Sequence, residues 1–149
     1  MSVLLETSLG DIVIDLFVKE APEHCYNFIK LTEVKYYNNC IFFEVQKNHS
    51  VMCGDPRVGG RKKQAPTTIE GFVNQKQTYI DDEIGERKIA KKGLVGSANP
   101  AANMNTSKFF ITLTDEWLEN FQGKHTIFGQ VAEGLDVLTK LNDLHCDNK

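Results

Sequence analysis

The sequence has no long hydrophobic run. Nothing in it approaches the roughly 18 apolar residues that a membrane-spanning helix needs. Its start, MSVLLETSLGD, lacks the basic segment and apolar stretch of a secretion signal, so a nuclear or cytoplasmic protein is expected. A basic excess is also missing: 17 Lys and Arg stand against 20 Asp and Glu, the net charge is -3 and the pI is about 5.8. No global positive field points to nucleic acid. Cysteine is sparse and never spaced as CxxC. Cys25, Cys40, Cys53 and Cys146, taken with His24 and His49, fit no zinc-ligand spacing and read as buried or spare thiols of a reduced compartment. Asn48-His49-Ser50 and Asn105-Thr106-Ser107 match the glycosylation pattern but, without a secretory signal, read as chance. There are no repeats and no low-complexity tract.

What is present is ordinary for a globular protein: 149 residues, 41% hydrophobic and 25% charged, enough to bury a core without staples. One domain over residues 1–149 is expected. Val3 and Leu5 alternate with polar positions, and Ile12, Ile14 and Leu16 share one parity, which predicts a hairpin turning at Gly10-Asp11. Pro22 opens a helix that carries Cys25, Phe28, Ile29 and Thr32 on one side and ends near Lys35. Strands are predicted at 40–45 and 50–54. Residues 55–92 form a long polar excursion inside the domain, of the kind that is functional or ordered by its own packing. GLVGSA, KFFITL and HTIFGQV read as further strands, and DEWLENF as one helical turn. Leu135, Val137, Leu138, Leu141 and Leu144 give a second amphipathic helix. Segregated helices among short antiparallel strands suggest a capped barrel.

The stretch IFFEVQKNHSVMCGDP at 41–56 reads as strand, turn, strand, with Phe42, Phe43, Val45, Val51 and Met52 suited to a sheet wall and Glu44 a lone acid among them. Together with LLETSLGDIVIDLF, EAPEHCYNFIKL, YYNNCIFFEV, GLVGSAN, NTSKFFITL and GKHTIFGQV, it makes the chain resemble the cyclophilins along almost its whole length. YYNNCIFFEVQKN is most similar to the nuclear cyclophilins that also carry an RNA-recognition domain. The resemblance implies a mainly β fold: a closed, eight-stranded antiparallel barrel with a helix covering each end and the substrate groove on its outer wall. Family members continue past LNDLHCDNK into a final strand, so this chain is expected to be truncated at its C-terminus, with that strand missing.

It also implies peptidyl-prolyl isomerisation. Resonance stiffens the Xaa–Pro bond, and its uncatalysed isomerisation is slow. A catalyst needs no cofactor and no metal. It needs an apolar pocket for the ring, a grip on the backbone, and a fixed donor aimed at the amide nitrogen of the twisted state. The family supplies that donor as an arginine on the third strand; here Glu44 stands at its position, a carboxylate that donates nothing. Loss of one preorganised donor costs about 10²–10³ in rate. His49 stands for the pocket-floor phenylalanine, Met52 for a backbone-gripping glutamine and Lys108 for a second glutamine. Ala98, Asn99, Phe110 and His125 match the family's groove residues. The family tryptophan aligns either with Trp117 or, when Gln122-Gly123-Lys124 anchors the alignment, with Asn120 beside Phe121.

The residues also have plainer readings. Glu44 could be a surface acid, His49 a satisfied turn histidine and Met52 a packing residue. The clusters Gly60-Arg61-Lys62-Lys63 and Glu86–Lys92 interleave no aromatics for stacking, so direct nucleic-acid binding is not expected. Two functions are compatible with these residues. One is a peptidyl-prolyl isomerase domain with weak or no catalysis that binds proline-containing peptides. The other is a non-catalytic interaction module of a nuclear pre-mRNA processing complex, with spliceosomal proteins as partners. Weak or no cyclosporin binding follows from the changes at Glu44, His49 and Met52.

Overall fold

A computed structural model describes residues 1–58 and 65–144. Cys146 and the first basic cluster, Gly60-Arg61-Lys62-Lys63, lie outside the described residues. Seven strands and three helices follow one another as β1 (Ser2–Thr7), β2 (Gly10–Leu16), α1 (Pro22–Glu33), β3 (Phe43–Gln46), β4 (Ser50–Cys53), α2 (Ile69–Asn74), β5 (Leu94–Ser97), β6 (Phe109–Thr112), β7 (Ile127–Glu133) and α3 (Leu135–Asp143). The strands form a single antiparallel sheet in the order β1-β2-β7-β5-β6-β4-β3. The fold is mainly β, as expected.

Period-two alternation sorts each strand onto two faces. Val3, Ile12, Ile14, Val51, Cys53, Val95, Phe109, Ile111, Phe128 and Val131 point into one cluster, which Cys25 and Phe28 of α1 and Val137, Leu138 and Leu141 of α3 complete. The helices therefore cap the curved inner face, each with an apolar stripe. Leu31 replaces Thr32 as the buried residue of α1, and Leu135 and Leu144 at the ends of α3 are exposed. The opposite parity builds a second cluster on the outer wall: Leu94, Phe110 and Ile127 from strands, with Ile89, Ala98 and Leu118 from loops, and Phe17, Met52 and Phe121 against it.

Seven strands, not eight, occur among the described residues, and no ladder joins β3 to β1 there. A cavity of about 690 Å³ lies between β1 and residues 38–42, over Cys53, Phe109 and Leu141. The third strand begins at Phe43 rather than near 40. Hydrogen-bonded turns from Lys35, with Lys35 and Asn39 at positive φ, occupy the preceding residues. DEWLENF contributes no helix; Leu118 to Lys124 are hydrogen-bonded turns.

The described part of the excursion is ordered by its own bonds, and it contains α2, which had no amphipathic repeat long enough to announce it. Thr68 caps that helix by accepting from Gly71 N at 3.2 Å. Asp82 receives Asn103 N at 3.1 Å and Asn105 Nδ2 at 2.6 Å, and Glu83 N donates to Thr126 Oγ1 at 2.8 Å. The excursion thus laces the 99–105 loop to the sheet, and that loop borders the outer wall.

Candidate active site

The outer wall is brought to one point by pairing register. Met52 lies opposite Phe110, and Phe110 opposite Gly96. Gly96 has a steric task. A Cβ there would sit 2.5 Å from Phe110 Cζ and 2.8 Å from Ile127 Cδ1, so only glycine lets the ring lie flat against the strand. The result is a cavity of about 190 Å³ lined by Glu44, Met52, Ala98, Asn99, Pro100, Lys108, Phe110, Phe121 and His125. It is smaller than the cavity at the sheet edges, but it gathers Glu44, Lys108 and His125 around an apolar floor of Met52, Phe110 and Phe121. That combination is what a binding site needs.

The aromatic part is tightly organised. Phe121 packs at a tilt against Phe110 with centroids 4.8 Å apart, and meets His49 at 4.9 Å and His125 at 4.6 Å edge to face. Phe110 is fully buried (0% exposed). Phe121 reaches the floor because the turns after Leu118 are pinned. Leu118 N donates to Ile89 O at 2.8 Å, and Gln122 Oε1 accepts from Ile89 N at 2.9 Å.

His125 presents Nδ1 to Asn99 Oδ1 at 2.6 Å and to Ser97 O at 3.1 Å. Both oxygens are acceptors, so Nδ1 carries the proton and the neutral ring keeps an acceptor at Nε2. Burial lowers its pKa, with partial compensation from the Ser97 carbonyl. Asn99 spends its amide on Ala101 O at 2.9 Å and Lys124 O at 3.3 Å. Neither residue brings a cation to the groove at neutral pH. Lys108 does: its Nζ lies 5.9 Å from the Phe43 ring centroid. Burial alone would push the Asp55 carboxyl up, but hydrogen bonds from Arg57, and then the charges of Arg57 and Lys108, hold it below the usual range.

Glu44 sits at a break in the hairpin. The β3–β4 register slips between Phe43 and Gln46, and Glu44 has φ +48°, in the left-handed region that side chains seldom adopt. It is exposed and lines the cavity.

Of the residues singled out from sequence, eight line this cavity: Glu44, Met52, Ala98, Asn99, Lys108, Phe110, Phe121 and His125. His49 is one ring away, bonded at Nδ1 to Ser50 Oγ at 2.8 Å, with its pKa lowered by burial. Trp117 is not brought in. It is 48% exposed and donates Nε1 to Gln122 Oε1 at 3.1 Å, with Lys88 Nζ 5.0 Å from its ring centroid. Of the two alignments, the one anchored on Gln122-Gly123-Lys124 matches this placement. Pro100 is a lining residue that sequence reasoning missed; the Asn99-Pro100 turn was its only signal.

The second basic cluster is occupied within the chain. Arg87 pairs with Glu20 and lies 3.9 Å from the Phe17 centroid, Lys91 donates to Gln130 and Lys92 to Thr139. Among the described residues no group of three or more His, Cys, Asp or Glu could hold a metal ion, and no helix is long and apolar enough to cross a membrane.

A family model for cyclophilin type peptidyl-prolyl cis-trans isomerase/CLD matches residues 2–149. The chain is 43% identical over 150 residues to peptidyl-prolyl cis-trans isomerase CYP59 of Arabidopsis thaliana, covering 100% of this chain and 29% of that protein. It is 40% identical over 149 residues to peptidyl-prolyl cis-trans isomerase-like 4 of Homo sapiens, covering 99% of this chain and 30% of that protein. It therefore spans less than a third of either relative. A crystal structure of a Cryptosporidium parvum cyclophilin type peptidyl-prolyl cis-trans isomerase, in the presence of the dipeptide Ala-Pro, matches with a TM-score of 0.84 at 32% identity, covering 99% of this chain and 88% of that one.

Proposed function

We propose, for a chain that belongs to the cyclophilin type of peptidyl-prolyl cis-trans isomerases, that the outer-wall groove binds Xaa–Pro segments and turns them over weakly or not at all. The observation that carries this reading is the pairing of an apolar floor, Met52, Phe110 and Phe121, with a carboxylate at Glu44. The floor suits a proline ring. The carboxylate supplies no donor to a twisted amide nitrogen and repels the lone pair regained there. Residual acceleration comes from desolvation in the pocket. The Ala-Pro dipeptide named with the Cryptosporidium parvum relative supports the ligand class.

The test is exchange spectroscopy on a Xaa–Pro peptide with the native chain and with Glu44→Arg. The native chain is expected to shift the peptide signals with little cis–trans exchange. Glu44→Arg is expected to raise exchange about 10²–10³-fold. Rapid exchange in the native chain, or none gained by the variant, overturns the role assigned to this position.

A second reading is favoured by the same Glu44 and by the small share of each relative that the chain covers: a non-catalytic interaction module. The resemblance to nuclear cyclophilins with an RNA-recognition domain supports a nuclear or cytoplasmic setting and spliceosomal protein partners. A pulldown that retains such proteins through the groove, and loses them with Phe110→Ala, supports it. Weak cyclosporin binding is expected in either case.

A further inference from the structure

Among the described residues, Glu44 is the charged side chain lining the groove that makes no hydrogen bond, ion pair or ring contact. Lys108 rests near the Phe43 ring, and its charge acts on Asp55. Glu44 accepts no hydrogen bond and enters no ion pair with any described residue. Its backbone is held in the left-handed region at a slipped register, an arrangement that costs stability and is concentrated at functional positions. A carboxylate left without a cation at the mouth of an apolar pocket is half of an ion pair. No described residue supplies its complement, and a ligand can.

Resting on the reading that the groove takes proline, we infer that it selects proline segments that carry a lysine or arginine directly beside the proline. The proline ring lies on Phe110 and Phe121, and the neighbouring cation meets the Glu44 carboxylate. Acidic or phosphorylated neighbours are repelled there. Lys108, 5.9 Å from the Phe43 ring centroid, is the other charged side chain lining the groove. An arginine at position 44, as the family resemblance expects, would repel the cations that Glu44 attracts. The substitution therefore changes which prolines are recognised as well as removing a donor.

The test is a titration of the ¹⁵N-labelled chain at low salt with three peptides of equal length. Each has one central proline, flanked on both sides by Lys, by Ala or by Glu. The Lys peptide is expected to bind tightest and the Glu peptide weakest, each step about two- to five-fold, the scale of an exposed charge pair. The steps shrink as salt is added. Glu44→Gln brings the three dissociation constants together, and Glu44→Lys reverses their order. Equal affinity of the Lys and Ala peptides, or a ranking that survives Glu44→Gln, overturns the inference. If none of the three peptides moves the Phe110, Phe121 and His125 signals, the proline-groove reading falls and this one with it. If the Ala peptide moves them and Lys adds nothing, only this inference falls.

Discussion

Phe109 and Phe110 are neighbours in β6, both almost fully buried, yet they belong to different parts of the protein. Phe109 faces inward and meets Phe28 edge to face at 5.3 Å and Tyr37 at 5.5 Å, beneath a capping helix. Phe110 faces outward onto Met52, Phe121 and His125. The inner wall is dominated by apolar side chains. The outer wall has the same kind of floor but a rim of Glu44, Lys108 and His125. A barrel wall one residue thick can hold a packing core on one side and a binding site on the other.

The sharpest way to break this comparison is to truncate both rings. Phe109→Ala is expected to cost about 3–5 kcal/mol, the scale for a buried aromatic. The protein that remains folded should bind a proline peptide as before. Phe110→Ala is expected to cost a similar amount and abolish peptide binding as well. Denaturant midpoints and a peptide titration on both variants check this. Equal binding by the two variants would remove the distinction between the walls.

Gly96→Ala probes the contact between the walls. The new Cβ strikes the Phe110 ring, so a loss of about 1–3 kcal/mol is expected, with displaced Phe121 and His125 signals. An unchanged melting curve would mean the ring has somewhere else to go.

Glu83→Ala tests the anchoring of α1, which takes no part in lining the groove. α1 has no side-chain cap of its own at Ala21. Glu83, on the excursion, takes that role: its carboxylate accepts Glu23 N at 3.1 Å and His24 N at 2.9 Å, and lies 2.5 Å from His24 Nδ1. His24 is only 4% exposed. Removing the acid should cost about 1–3 kcal/mol through the lost cap and an unmatched buried imidazole, with peptide binding intact.

The smallest effect is in acid. His49 and His125 have pKa values lowered by burial, so the unfolded chain takes up more protons as the pH drops below about 6.5. Asp55 is held low in the folded state, so its contribution also fades toward acid. Both signs agree: stability should fall as pH drops from 7 to 4. A flat or rising melting temperature over that window would contradict them. The buried thiols should stay inert at pH 8, since burial lifts Cys25 to about 11 and Cys53 to about 12.

Strand parity, the two amphipathic helices and the run from Phe42 to Met52 were legible because the sheet and helix periods are local properties of the chain. Glu44, Met52, Phe110 and His125 could be placed in one groove through the resemblance to the cyclophilins. Other features depend on residues far apart in sequence. The turn that brings Phe121 rather than Trp117 to the floor is held by Gln122 reaching Ile89 and by the Leu118 amide on the Ile89 carbonyl. The cap of α1 comes from 60 residues downstream. The positive φ of Glu44 follows from a register slip that no propensity signals. The sequence by itself determined which residues face in and which face out, because alternation is written residue by residue. Only the tertiary structure decided which outward residues converge and which charge among them is left without a partner among the described residues. Those are distances through space, set by how the loops are pinned to the sheet.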